Sequence, residues 1–191
     1  MIQTLCVCGA GTMGSGIAQA AAQNRIYTIL FDLNAEVLQK AEASIQKNLS
    51  SLLEKQKITE AQQQEILGNL LFTTDIQLCI ADLIIEAIIE KPEAKKALFN
   101  QLSEINHSET IFASNTSSLS ISQLQQQIVQ PKRVAGLHFF NPATLMKLVE
   151  VVKGNQTNEE VITQLVAFTR QLNKVPVVCK DAPGFIVNRI A

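Results

Sequence analysis

The sequence is poor in several residues and runs whose abundance would itself point to a function. Histidine occurs twice and cysteine four times in 191 residues. With only two imidazoles, proton transfer near neutral pH has few places to happen. The cysteines form no disulfide framework, because Cys6 and Cys8 alternate on one face of a single strand-like run and Cys79 and Cys179 lie far away in sequence. Buried, reduced thiols in a cytoplasmic protein are the expectation. Neither charge is in excess: 16 basic residues face 17 acidic ones, for a net charge of −1. The basic residues are scattered and build no stripe, so nucleic acid is not an indicated partner. No apolar run approaches a bilayer span, and the first eight residues carry no basic n-region of a signal peptide, so no membrane association is expected. The length suits one complete α/β domain, or a domain and the start of another.

What is present begins with a turn. A short apolar run over 5–8 ends in Gly9-Ala10-Gly11-Thr12-Met13-Gly14, and a helix-friendly segment follows. Strand, glycine turn and helix in that order suit a dinucleotide: Gly9 makes the tight turn, Gly11 lets a pyrophosphate approach, and Gly14 lets helix and strand touch. A second strand-like run over 26–31 is closed by Asp32, 18 residues after Gly14. A carboxylate there accepts bonds from an adenine-ribose diol and repels a 2′-phosphate, which favours NAD. The bland alternative for Asp32 is a cap for the helix that follows. Residues 33–69 are more than one crossover helix needs; a helical period to about Glu54 and a Thr59/Gln62 capping box predict a helical hairpin standing off the sheet. Lys55 and Lys57 fall at its tip.

Further strands are predicted over 82–87, 110–113, 133–140, 145–152 and 174–179, with helices over 92–105, from Ser120 onward, and over 159–170. The helix from Pro92 is expected to present Ala94, Leu98 and Leu102 on one face, with Glu90 and Lys95 at its opening turn as a local ion pair or as ligand contacts. In the helix after Ser120, Gln125 to Gln127 read as a polar face. Ser120 reads as the cap, which leaves Asn115 and Ser117 available at the C-terminal end of a strand, where open α/β sheets keep their ligands. The stretch from His138 to Pro142 carries one of the two histidines, and Glu150 follows twelve residues later. If the two strands around Asn141-Pro142 pair, His138 lies beside Glu150 as an acid/base couple. A histidine beside two phenylalanines is also at home as a packed core residue.

Taken together, these pieces resemble the NAD-binding domain of the 3-hydroxyacyl-CoA dehydrogenases, in particular the bacterial 3-hydroxybutyryl-CoA type. The likeness rests on Gly-Ala-Gly-Thr-Met-Gly at 9–14, Ile-Glu-Ala at 85–87, Ser-Asn-Thr-Ser-Ser at 114–118, Gly-Leu-His-Phe-Phe-Asn-Pro at 136–142, Leu-Val-Glu at 148–150 and Lys-Asp-Ala-Pro-Gly-Phe-Ile-Val-Asn-Arg at 180–189. It implies a Rossmann-type doubly wound, mostly parallel sheet with a helical hairpin after the second strand. It also implies His138 as the proton carrier oriented by Glu150, Ser117 and Asn188 on the substrate oxygen, and NAD held by residues 9–14, Asp32, Glu90, Lys95, Asn115, Ser117 and Asn141. Asn48 and Lys55 become candidate contacts of an acyl-CoA substrate, and no metal is implied. On this resemblance residues 1–183 form the NAD domain and 184–191 begin a helical C-terminal domain through which the full protein dimerises; the chain is expected to continue. The rivals are a superfamily dehydrogenase acting on a hydroxy acid without CoA, of gulonate or carnitine type, and a non-catalytic NAD-binding module.

Overall fold

The computed structural model describes residues 1–186, which form one eight-stranded sheet. In chain order the elements are β1 (Thr4–Cys8), α1 (Thr12–Gln23), β2 (Tyr27–Phe31), α2 (Ala35–Glu54), α3 (Glu60–Gly68), β3 (Leu70–Thr73) and β4 (Leu83–Glu86), then α4 (Pro92–Ile105), β5 (Ile111–Ser114), α5 (Ile121–Gln125), β6 (Val134–Phe139), β7 (Leu148–Lys153), α6 (Glu159–Gln171) and β8 (Val175–Lys180). The spatial order is β3-β2-β1-β4-β5-β6-β7-β8. The first six strands in this row are parallel, and the chain reverses between β6 and β7, which pair antiparallel before β8 returns parallel to β7. The order turns at β1 and β4, which places a ligand crevice at their C-terminal ends.

Side-chain alternation along the strands builds two cores. Leu5 and Val7 face α1, α2 and α6, and pack with Ile17, Ile45 and Leu165. Cys6 and Cys8 face the other way, onto α4 and α5, with Phe99, Leu102 and Ile121. Cys79, remote in sequence, joins Cys6 and Cys8 in this second core, and all four cysteines are free and buried. The hairpin is present as read: α2 buries Leu38, Ala41, Ile45 and Leu49, one stripe at helical spacing, and Thr59 with Gln62 forms the capping box of α3. Among the described residues no helix is long and apolar enough to cross a membrane.

Three local readings need correction. The buried face of α4 is Lys95, Phe99 and Leu102, whereas Ala94 and Leu98 border a cavity; a lysine reaches the interior because two carboxylates meet it there. Gln125 is not on a polar face: α5 ends with it, and its buried amide donates to Pro131 O, Val134 O and Thr157 Oγ1. Finally, β7 starts at Leu148, not 145, because the segment before it bends so that Ala143 O and Met146 O accept hydrogen bonds from the buried Lys174 ammonium at 2.6 and 2.7 Å.

Candidate active site

The glycine turn stands at the C-terminal end of β1. Gly9 has φ +101°, a left-handed conformation that favours glycine, and a Cβ there would lie 2.6 Å from Ala87 O. A Cβ on Gly14 would be 1.7 Å from Gly9 O, so this glycine is what lets α1 sit against the turn. Gly11 is different: nothing lies within 4 Å of where its Cβ would be, and the position borders two cavities. The first turn of α1 has no side-chain cap and no acidic residue. Its N–H groups and positive end are left to an anion.

Asp32 closes β2 beside this turn. Its carboxylate accepts from Ala10 N–H and from Asn34 N–H, both at 2.9 Å. The cap of α2 is Asn34, whose side chain accepts from Glu36 and Val37, so Asp32 is not spent on that task. It borders a cavity of about 560 Å³ together with Gly9, Leu33, Ile88 and Leu98. A carboxylate at the polar rim of a largely apolar slot, next to an uncapped helix start, fits the adenosine and pyrophosphate of NAD and opposes a 2′-phosphate.

At the ends of β4 and β5 the expected Glu90–Lys95 ion pair is part of a larger charge network that also takes in Glu86. Lys95 Nζ is 2.6 Å from Glu86 Oε1 and 3.0 Å from Glu90 Oε2. Glu86, fully buried, also accepts from Ser114 Oγ at 2.7 Å and Ile88 N–H at 2.8 Å. Burial pushes the Glu86 carboxyl above its ordinary range in spite of Lys95. Partial burial works on Glu90 in the same sense, but hydrogen bonds from Thr116 and Lys95 outweigh it and hold that carboxyl below the ordinary range. Thr116 Oγ1 donates to Glu90 and accepts from Leu119 N–H, which ties the 115–119 loop to the residues opening α4. Asn115 Oδ1 accepts from Phe139 N–H at 2.9 Å and braces the end of β6; Ser117 is exposed on the same loop.

His138 and Glu150 are direct cross-strand partners in the β6–β7 ladder. His138 Nδ1 is 2.7 Å from Glu150 Oε2, and both residues are buried. The other carboxylate oxygen, Oε1, accepts from Ile186 N–H at 2.9 Å. The rings of Phe140 and Phe185 lie 4.5 and 5.9 Å from the imidazole, centre to centre. With Nδ1 engaged by the carboxylate, Nε2 is the nitrogen left for a substrate proton.

A second cavity, of about 360 Å³, runs between the start of α1, the inner side of α2 and the 141–144 segment; Gly11, Asn48 and Asn141 all border it. Asn48 Nδ2 also donates to Gln19 Oε1 at 3.1 Å. Lys40 and Ser44 border the same cavity; they were passed over, although their four-residue steps to Asn48 are a readable helix-face signal. Lys55 stands two turns beyond Asn48, exposed at the C-terminus of α2. Asn188 lies outside the described residues. Among the described residues, no cluster of histidine, cysteine or acidic side chains is arranged to hold a metal ion.

With this geometry in view, comparison with known proteins decides the family. Residues 4–182 match the family described as 3-hydroxyacyl-CoA dehydrogenase, NAD binding domain. The chain belongs to that family. Over its whole length it is 48% identical to the 3-hydroxyadipyl-CoA dehydrogenase of Escherichia coli K12, and covers 40% of that protein. A probable 3-hydroxybutyryl-CoA dehydrogenase of Deinococcus radiodurans is 44% identical over 96% of the chain, which covers 66% of that relative. The crystal structure of a 3-hydroxybutyryl-CoA dehydrogenase from Escherichia coli K12 superposes on the entire chain with a TM-score of 0.97 at 48% identity, the chain covering 41% of it. The chain thus spans between two fifths and two thirds of the length of these relatives.

Proposed function

We propose that the chain is the cofactor-binding and proton-transfer part of an NAD-dependent dehydrogenase that interconverts 3-hydroxyacyl-CoA and 3-oxoacyl-CoA. The observation that carries this reading is the His138–Glu150 contact of 2.7 Å, buried in the same fold as an NAD cradle. The names of the relatives support the acyl-CoA class, with adipyl and butyryl chains both represented.

Bound NAD supplies the hydride acceptor in one direction and the donor in the other. This chain supplies the rest. Residues 9–14 and the start of α1 hold the pyrophosphate, Asp32 holds the adenine ribose, and Glu90, Lys95, Asn115, Ser117 and Asn141 line the nicotinamide side. His138 takes the C3 hydroxyl proton of the substrate on Nε2, which gives the oxygen alkoxide character as the C–H bond breaks. Glu150 pairs with the imidazolium that results, as a carboxylate does for a catalytic histidine. In reverse the imidazolium returns the proton to the ketone. Ser117 and Asn188 support the oxygen, and the face of α2 that carries Asn48 and Lys55 receives the CoA portion. Phe140 and Phe185 keep water from the imidazole.

The same reading takes residues 1–183 as the NAD domain and residues 184–191 as the beginning of a helical domain that makes the whole protein a homodimer. It also places the protein in the cytoplasm, which the four free thiols support. The deciding experiment is His138→Ala in the full-length protein, with acetoacetyl-CoA and NADH as substrates. Turnover is expected to fall by about 10²–10⁴-fold while the NAD dissociation constant stays within about twofold. Turnover close to that of the parent protein would sink the assignment.

A further inference from the structure

Asp181 stands one residue past the end of β8 and has no role in the reading above. Its backbone N–H continues the ladder by donating to Lys153 O at 3.1 Å. Its carboxylate reaches across to another part of the chain, where it accepts from Ser120 Oγ at 2.7 Å, Ile121 N–H at 3.0 Å and Ser122 N–H at 2.8 Å. Partial burial would raise this carboxyl, and the hydrogen bonds from Ser120, Ser122 and Ile121 outweigh it, so it stays ionised to below the ordinary carboxylate range. Ser120 closes the loop that bears Asn115, Thr116 and Ser117.

From Asp181 the chain turns sharply. Gly184 has φ +73° and Phe185 φ +50°, the latter a left-handed conformation that a phenylalanine keeps only where its surroundings enforce it. The turn delivers two groups to the proton-transfer pair: the buried Phe185 ring, 5.9 Å from the His138 ring, and Ile186 N–H, 2.9 Å from Glu150 Oε1. Glu150 is therefore held on both oxygens, by His138 on one and by this turn on the other.

We propose that Asp181 is a positioning residue for the His138–Glu150 pair: its carboxylate rivets the turn over 182–186 to Ser120 and the first turn of α5, and through that turn fixes Glu150 Oε1 and the cover over His138. The same clasp links the position of Ser117 to that of the pair. This rests on the reading of His138 as the proton carrier, but it is tested without turnover. The protein has two histidines, and His107 is exposed and remote in sequence from the clasp, so it serves as an internal control.

The test is nitrogen-15 histidine NMR on the full-length protein. In the parent, the ring N–H that His138 shares with Glu150 is expected to give a downfield signal in slow exchange with water. Asp181→Asn is expected to speed that exchange by about tenfold or more, and Ser120→Ala, which removes one donor of three, by a few-fold. The His107 ring signals and the NAD dissociation constant stay where they were. A residue that merely stabilised the fold would speed the exchange of the His138 signal no more than it speeds that of the slowest backbone amides of the central strands, measured in the same sample. That result, in Asp181→Asn or in Ser120→Ala if the first does not fold, overturns the proposal. It leaves the role of His138 untouched, since that role stands or falls on the turnover of His138→Ala.

Discussion

Lys95→Met deletes the charge from the buried network and keeps an apolar stem of similar length. In the parent the ammonium lies 2.6 Å from Glu86 and 3.0 Å from Glu90. Glu90 is exposed enough to be solvated again, but Glu86 is fully buried and is left with only Ser114 Oγ–H and Ile88 N–H. Stranding a buried carboxylate costs about 3–5 kcal/mol. A cheaper route sets the ceiling: the group takes up a proton. From an ordinary value of 4.5 to pH 7 this costs roughly 3.4 kcal/mol, at about 1.4 kcal/mol for each of 7.0 − 4.5 = 2.5 pH units. At pH 5.5 the same ceiling is roughly 1.4 kcal/mol. An acid whose value is raised by folding binds its proton more tightly in the folded state, so stability falls as pH rises through this window. Lys95→Met is therefore expected to destabilise the domain by about 3 kcal/mol at pH 7 and by about 1 kcal/mol at pH 5.5. Urea titrations at the two pH values measure this, with a loss of roughly 6–12 °C in Tm at pH 7 as the parallel thermal readout. Equal losses at the two pH values, or a loss under about 1 kcal/mol at pH 7, would refute the account of Glu86 as the burdened partner.

Two glycines separate folding from binding. Gly11→Ala meets nothing within 4 Å and needs no unusual backbone, since φ there is −69°; the melting temperature is expected to hold while NAD affinity, read by calorimetry, drops by about tenfold or more as the methyl enters the phosphate approach. Gly14→Ala puts a carbon 1.7 Å from Gly9 O and is expected to lower the melting temperature as well; equal thermal losses in both variants would count against Gly11 as ligand-facing. Lys174, lowered by burial and then by the charge of Lys147, carries its proton at a cost in the folded state. The parent should gain stability as pH rises toward the ordinary 10.5 of a lysine, and that slope should be missing from Lys174→Met; an identical slope in both proteins would rule this out.

The parts of this fold that could be read in advance were those written in local pattern. The Gly9 to Gly14 turn, Asp32 at the end of β2 and the capping box at Thr59 each depend on neighbours within a few residues, and each stands where expected. The His138–Glu150 contact was legible because two apolar runs flank a turn signal, which is pairing information at short range. What escaped were buried polar groups with distant partners. Lys95 read as a partner of Glu90 or a ligand contact, without Glu86; Gln125 read as part of a polar face; and no signal set Asp181 apart within its motif. Nothing in a hydrophobic period distinguishes a polar side chain that meets water from one that meets carbonyls or carboxylates from another strand. Their cost of burial is offset in part by partners as far as 9 residues away for Lys95, 32 for Gln125 and 61 for Asp181, separations at which local pattern is silent.

The reversal of the chain between β6 and β7 bears on how this domain can change. Because His138 and Glu150 are register partners on adjacent antiparallel strands, their contact is set by the ladder and not by the path of the connection over 140–147. That connection, which borders the cavity beside α2, does not set the His138–Glu150 distance; its own shape is fixed by another task, since Ala143 O and Met146 O within it accept from the buried Lys174 ammonium. A slip of β7 by one position, in contrast, would turn Glu150 to the opposite face and separate the couple at a stroke. The invariant to look for among variants of this domain is therefore the strand register, not the twelve-residue spacing.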